Sequence, residues 1–393
     1  MIRKRRMKRG RRTAGVLAAV VSISLLPFPA LAQQSPEFAY SAEKWASLRD
    51  DKLEYEEIAE LIHEYNNTVL KNHISYQDEK DKNKDDVAQD YYDTANDIYS
   101  SIQYPDSDDA NYGSQMAAVL NSRLQADQLM ERGDESTEDH ETIKLGYDQT
   151  EASLVKQAQE LMIQYWSQYY NLDSLRQRKL QAESSCQSEQ NRLAAGMSTQ
   201  ANVLKAREAV SSAQASLLSA ESSLEKTKES LLLMLGWSYG SQVEIGELPD
   251  PDMAQIDRIQ VEEDVGTALA SNYSLKLTEK RLANARTTKV KDTLTQTQKN
   301  QREAVATNVK DSYSSLILAR SNYEQARQAF DLEKTSMDTA ERKLSAGTIT
   351  RNAYETQKSS YLTAEVTVRT RQLDLLKAMV DYQWAVDGLA SAS

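Results

Sequence analysis

The stretch Arg192-Leu193-Ala194-Ala195-Gly196-Met197-Ser198-Thr199 returns 151 residues later as Lys343-Leu344-Ser345-Ala346-Gly347-Thr348-Ile349-Thr350. Self-similarity at a fixed offset marks an internal repeat, and the residues around each copy show of what kind. Every seventh position after Gly196 holds Val203, Val210, Leu217, Leu224 and Leu231; after Gly347 the series is Tyr354, Tyr361, Val368, Leu375 and Tyr382. The same period runs upstream through Leu172, Lys179, Cys186 and Leu193 in the first copy, and through Tyr323, Phe330, Met337 and Leu344 in the second. A heptad seam that runs into a glycine and soon resumes predicts one helix stopping at a left-handed cap, a tight turn, and a second helix returning antiparallel. Ser198, Thr199, Thr348 and Thr350 are residue types that cap the start of a returning helix. Gly196 and Gly347 are therefore read as hairpin tips.

The punctuation of the chain agrees. After Pro36 the only prolines are Pro105, Pro249 and Pro251, and no glycine occurs from Tyr147 to Ala195 or from Thr267 to Ala346. Uninterrupted runs of this length, rich in Ala, Leu, Gln, Glu, Lys and Ser, are what long helices require. A first incoming helix starting near Glu141 would make an arm of roughly 80 Å at 1.5 Å per residue. A second match, Asn67-Thr68-Val69-Leu70-Lys71 with Asn272-Tyr273-Ser274-Leu275-Lys276, opens each half after an acidic lead-in. The expected fold is all-α, two tandem repeats of a long antiparallel coiled-coil hairpin, spanning residues 33–248 and 259–393 with a linker at 249–258. The first half is the longer, with a polar insertion over about residues 104–149 holding Pro105, Gly113, Gly133 and Gly146. It reads as loops around a helix from Ser114 to Met130.

The segment 1–32 stands apart by composition. Eight basic residues precede an apolar run from Ala14 to Leu26, and Ala30-Leu31-Ala32 follows. That is the pattern of a signal peptide cleaved after Ala32, so export to the cell envelope is expected. Those eight leave 39 of the 47 basic side chains against 59 acidic ones, a formal charge of −20. A chain so acidic repels phosphate backbones, which excludes nucleic acid as a natural partner. Cys186 is alone, so there is no disulfide framework, and its place on the seam makes it a core residue.

These features resemble the TolC family of trimeric outer-membrane efflux proteins. The resemblance is carried by Arg192-Leu193-x-x-Gly196 and Lys343-Leu344-x-x-Gly347-x-Ile349 with their seams, by the motifs at Asn67 and Asn272, and by Leu235-Gly236. It implies a homotrimer whose hairpins form an α-barrel, and four strands per chain completing a β-barrel in the outer membrane. It further implies tips that meet a periplasmic, membrane-fusion adaptor of an ABC-type or similar inner-membrane pump. The tip residues so implicated are Leu193, Gly196, Met197, Ser198 and Thr199, with Leu344, Gly347, Thr348, Ile349 and Thr350. The sequence departs from the family in two places. No pair of ten-residue segments alternates apolar and polar as membrane strands require, so no β-barrel is evident. The family's acidic ring at the tunnel mouth falls on Ala353 here and on Asn202 in the first repeat; Arg351 and Glu355 are the nearest charges.

Chemistry is sparse. His63, His73 and His140 leave little for catalysis, His63-Glu64 is not followed by a histidine three residues on as in a zinc-protease helix, and no phosphate-cradling loop or nucleophile elbow occurs, so neither an enzyme nor a cofactor or metal is expected. Asp106 to Gly113 lacks the glycine and the final glutamate of a calcium loop. Arg132-Gly133-Asp134 is read as a chance tripeptide in a polar loop. Two functions remain: an export duct or collar, and a structural coiled-coil protein of the cell surface.

Overall fold

The computed structural model describes residues 40–392. The expected signal peptide lies outside them, and the architecture below is that of the compact unit Ala42–Ser393. In chain order it contains α1 (Ala42–Ser47), β1 (Lys52–Leu53), α2 (Ile58–Tyr65), α3 (Asn67–Glu79), α4 (Lys84–Ser101), α5 (Tyr112–Glu135), α6 (His140–Ala194) and α7 (Gln200–Met234). Then follow β2 (Glu244–Ile245), α8 (Met253–Asp257), α9 (Val261–Ser271), α10 (Tyr273–Asn284), α11 (Thr288–Ser345) and α12 (Arg351–Trp384). The all-α reading holds. Among the described residues the strands are the two-residue β1 and β2, paired in parallel with Leu53 opposite Ile245, and no barrel is closed. No described helix is long and apolar enough to cross a membrane.

The two long hairpins are α6 with α7 and α11 with α12, and α6 packs on α12, so the four helices lie in the order α7, α6, α12, α11. The α6–α12 junction is a mixed one. Ile163, Leu373 and Leu376 form its apolar centre with Trp166 and Tyr170 against them. Around it Lys156 and Lys377 reach Asp381 at 2.9 and 2.7 Å, and Trp384 Nε1 donates to Gln159 at 2.7 Å. Burial by itself would raise the Asp381 pKa, but the hydrogen bonds from Lys377 and Lys156 hold it below the ordinary value.

Each repeat opens with an elbow built on one buried asparagine. In the first, Asn66 ends α2; its Oδ1 accepts from the backbone of Thr68 and Val69, and its Nδ2 donates to Met234 O at 2.8 Å. In the second, Asn272 Oδ1 accepts from Leu275 N, and Nδ2 donates to Gly388 O and Ala390 O at 3.1 and 2.9 Å. The side chain thus caps the new helix and ties it to the end of the returning one. A left-handed glycine sits at each junction: a Cβ on Gly236 would lie 2.6 Å from the Tyr65 side chain, and one on Gly388 2.8 Å from Ser271 O. The sequence reading is corrected by one residue here, because the partner of Asn272 is Asn66 and not Asn67. In that register the buried Val69 and Leu275 correspond.

The insertion is also corrected. The expected helix is present as α5, longer than read, between loops at 102–111 and 136–139, but the inserted part begins earlier, with α4 packed on α5 as a helical hairpin. Gly113 and Gly133 lie inside α5 and Gly146 inside α6. Gly133 is there for packing, since a Cβ would meet the Tyr92 ring at 2.3 Å, and the neighbouring Asp134 accepts a hydrogen bond from Tyr92 Oη. The Arg-Gly-Asp tripeptide is therefore helix, not loop. Arg286, in the turn between α10 and α11, fastens this hairpin: Nη1 donates to Gly133 O and Ser136 O, and Nη2 to Lys84 O and Asp85. The polar run Lys291 to Asn300 is continuous helix within α11, and the break before it falls at residues 285–287, where Thr287 caps α11.

Replacing Asn272 with alanine removes the cap and leaves two buried carbonyls unsatisfied, which costs about 3 kcal/mol. The half-buried counterpart contact at Asn66, with one carbonyl released, costs about 2 kcal/mol. Chemical denaturation of the two variants checks both the size and the order.

Candidate functional site

The two tips are built alike to the level of single hydrogen bonds. Met197 N reaches back to Arg192 O at 2.8 Å and Gly196 N to Leu193 O at 2.9 Å; Thr348 N and Gly347 N repeat this on Lys343 O and Leu344 O at 2.8 and 2.9 Å. Both are paired i+5 and i+3 closures around a left-handed glycine, with φ of +71° at Gly196 and +67° at Gly347. Each returning helix then starts on a threonine. Thr199 Oγ1 accepts from Asn202 N at 3.3 Å, and Thr350 Oγ1 from Ala353 N at 3.2 Å. Of the expected caps, Ser198 and Thr348 serve otherwise. Ser198 Oγ donates to Glu189 at 2.6 Å and receives Asn202 Nδ2, while Thr348 Oγ1 donates to Lys343 O at 2.9 Å.

The apolar residues differ between the tips. Met197 is 66% exposed. Ile349 is half-buried, as are Leu193 and Leu344 at the ends of the seams. Arg351 pairs with Glu355 at 3.0 Å, so that carboxylate has its charge met by its own helix. Among the described residues no hydrogen bond or ion pair joins one tip to the other. The structure therefore gathers the candidate residues into two matched but separate clusters.

Behind the tips the seams face inward as read. Val203, Leu217, Leu231, Leu375 and Tyr382 are buried, Cys186 is buried with them, and Phe330 packs on Tyr361 with ring centroids 5.4 Å apart. A second set of apolar residues is not covered. Leu204 and Leu218 on α7, and Leu318 and Leu332 on α11, are all more than half exposed. The members of each pair are two heptads apart, so they lie on one face of their helix. These are the two outermost helices of the four. Sequence reasoning missed this pattern because it followed only the seam through the glycines.

The comparisons with known proteins agree with this architecture. A family model described as outer membrane efflux protein matches residues 94–237, the part that holds α5, α6, the first tip and α7. No curated protein gives a match to the sequence. Among solved structures, a membrane protein from Pseudomonas aeruginosa is similar at 12% identity with a TM-score of 0.54, over 85% of this chain and 90% of that one. CusC, whose structures concern transmembrane channel formation, is similar at 10% identity with a TM-score of 0.51, over 89% and 95%. The outer membrane protein VceC of Vibrio cholerae is similar at 11% identity with a TM-score of 0.50, over 85% and 96%. The fold is thus that of the TolC-like channels, and the resemblance read from the tips is borne out. The matched family is one of efflux proteins and not of enzymes.

An added Cβ would meet nothing within 4 Å at Gly196 or Gly347. Gly196→Ala and Gly347→Ala should therefore each cost only the left-handed strain, about 1–2 kcal/mol, with far-UV circular dichroism unchanged. A larger loss in denaturation experiments would show that the tips are packed against something else.

Proposed function

We propose that the chain is one protomer of a homotrimeric, TolC-like efflux duct in the cell envelope, docking through its hairpin tips onto a membrane-fusion adaptor that serves an ABC-type or similar pump. The observation that carries the reading is the uncovered leucine pairs on α7 and α11. One chain supplies four helices in a row and leaves both outer edges apolar, so each edge fits the opposite edge of another copy. An interface of this head-to-tail kind closes into a ring when the rotation allows it. The family match and the fold support the efflux role. The absence of barrel strands among the described residues is consistent with a duct whose helical part stands alone outside the plasma membrane.

The tips belong at the adaptor for a physical reason as well. Capping explains Gly196 and Gly347, but an exposed Met197 at the end of a long arm gains nothing from water and fits an apolar partner surface. The uneven exposure of Met197 and Ile349 makes the first tip the main contact. Because Glu355 is paired with Arg351, the duct mouth is not given a cation-selective role.

Two experiments separate this reading from a structural coiled-coil spacer. Light scattering of the purified protein should give a trimer mass, and Leu218→Asp with Leu332→Asp should shift it to the monomer while keeping helicity; a monomeric parent protein overturns the duct. Met197→Asp with Ile349→Asp should keep the trimer but abolish co-purification with the adaptor and lower resistance to an exported compound. Normal binding and export by that double variant would leave the tips as turns only.

A further inference from the structure

The elbow of the first repeat carries side chains that the second repeat does without. His63 on α2, His73 on α3 and Glu151 on α6 converge there, and their donor atoms lie within 4.8 Å of one another. His63 is buried, and its Nδ1 shares a 2.7 Å hydrogen bond with Glu151 Oε1. His73 is nearly half exposed; its Nε2 lies 3.9 Å from Glu151 Oε2, and its ring stands edge-on to that of His63 with centroids 5.0 Å apart. In the register that pairs Asn66 with Asn272, the second elbow has Leu269 and Glu279 where the first has the two histidines. The same turn is built there without them, so the elbow does not need them as architecture.

We propose that His63, His73 and Glu151 bind a divalent metal ion of the Zn²⁺ class, with a solvent molecule completing a tetrahedron. Two imidazoles and a carboxylate are the donor set such ions take, at about 2.0–2.2 Å. Tetrahedral coordination at those lengths holds donors roughly 3.4 Å apart. The His63–Glu151 pair has to open by about 0.7 Å, and the widest donor pair, up to 4.8 Å apart, to close by up to about 1.4 Å, movements within reach of side-chain torsions. Only His73 has far to swing, and it is the exposed member.

A second observation points the same way. Glu64 Oε1 is buried with no hydrogen-bond partner, in a side chain only 10% exposed, and lies 4.0 Å from His63 Nε2. A ligating histidine holds its ring by giving the other N–H to a carboxylate, and Glu64 is placed to receive it once Nδ1 is on the metal. A plain His63–Glu151 hydrogen bond accounts neither for the second imidazole on the same carboxylate nor for this orphaned oxygen. Because the three ligands come from three helices, the ion would clamp α2 and α3 to α6 at the point where the chain changes direction.

The test uses the purified full chain stripped of metal and titrated with Zn²⁺ against a chromophoric chelator. A single ion should bind per chain with micromolar affinity or better, and Co²⁺ should give the intense visible bands of four-coordinate cobalt. His73→Gln should weaken Zn²⁺ binding by about tenfold or more and abolish the cobalt bands, with helicity unchanged because the residue is at the surface. His140→Gln, whose Nδ1 faces Lys82 O, should bind as the parent does. His63→Gln should match His73→Gln; if it fails to fold, His73→Gln decides. Failure to bind Zn²⁺ stoichiometrically, or equal affinity in His73→Gln, overturns the proposal. None of these readouts depends on transport.

Discussion

A helix that must end, turn and restart inside a packed protein exposes backbone groups at both breaks, and each long hairpin here solves that with one asparagine. The Oδ1 of Asn66 or Asn272 satisfies the first amides of the helix it opens, and the Nδ2 satisfies carbonyls at the far end of the same repeat. The donors of a helix start and the acceptors of a helix end are the groups a regular helix cannot serve itself. Joining the two through one buried side chain closes the repeat on itself. The glycines at 236 and 388 allow the approach, since any side chain there would strike the residue just before the asparagine. With start and finish fixed together, the tip of each hairpin has little freedom in where it falls, long as the incoming helices α6 and α11 are.

What could be read from the sequence follows from how local each signal is. The seams and tips were legible because a heptad and an αL glycine are written within a few residues of one another, and Thr199 and Thr350 had the right chemistry at the right place. The elbow was half legible. Its motif was visible, yet two consecutive asparagines at 66 and 67 hid which one turned inward, and the register is set by the matching hydrogen bonds of Asn66 and Asn272 and the burial of Val69 and Leu275. Gly113, Gly133 and Gly146 misled because a glycine in a polar stretch looks like a breaker, whereas Gly133 makes room for the ring of Tyr92. The β1–β2 pair left no trace, two residues being too short for any alternation to show. His63, His73 and Glu151 have no readable spacing at all, because three helices bring them together.

The repeats are alike at the tips and unlike at the other end. At the tips nothing but the turn itself has to be built, and the same closures recur in both copies. At the opposite end the second repeat passes directly from α10 to α11 through a short turn, while the first inserts α4 and α5 between α3 and α6. Arg286 holds the two solutions together, its guanidinium bound to both ends of the inserted hairpin from the short turn of the other repeat. Lys280 with Glu141, Arg281 with Glu138 and Lys289 with Glu135 extend the same seam of opposite charges. Exposed pairs of this kind add little stability singly, but as a row they choose one docking of the hairpin over its neighbours.

Burial is uneven along the arms, and the unevenness bears on assembly. The fully buried large side chains, among them Leu61, Ile62, Met162, Leu231, Leu316 and Leu375, gather near the elbows, where helices from both repeats meet. Toward the tips the seam continues, but Tyr354, Tyr361, Met337 and Phe330 are only half-buried, because two helices side by side can cover no more of each other. Such arms contribute few buried contacts of their own and sit at the low end of local stability. Adding neighbours at α7 and α11 would cover the leucines there and stiffen the arms along their length. A chain built this way is therefore most densely packed at its elbows and least so toward its tips.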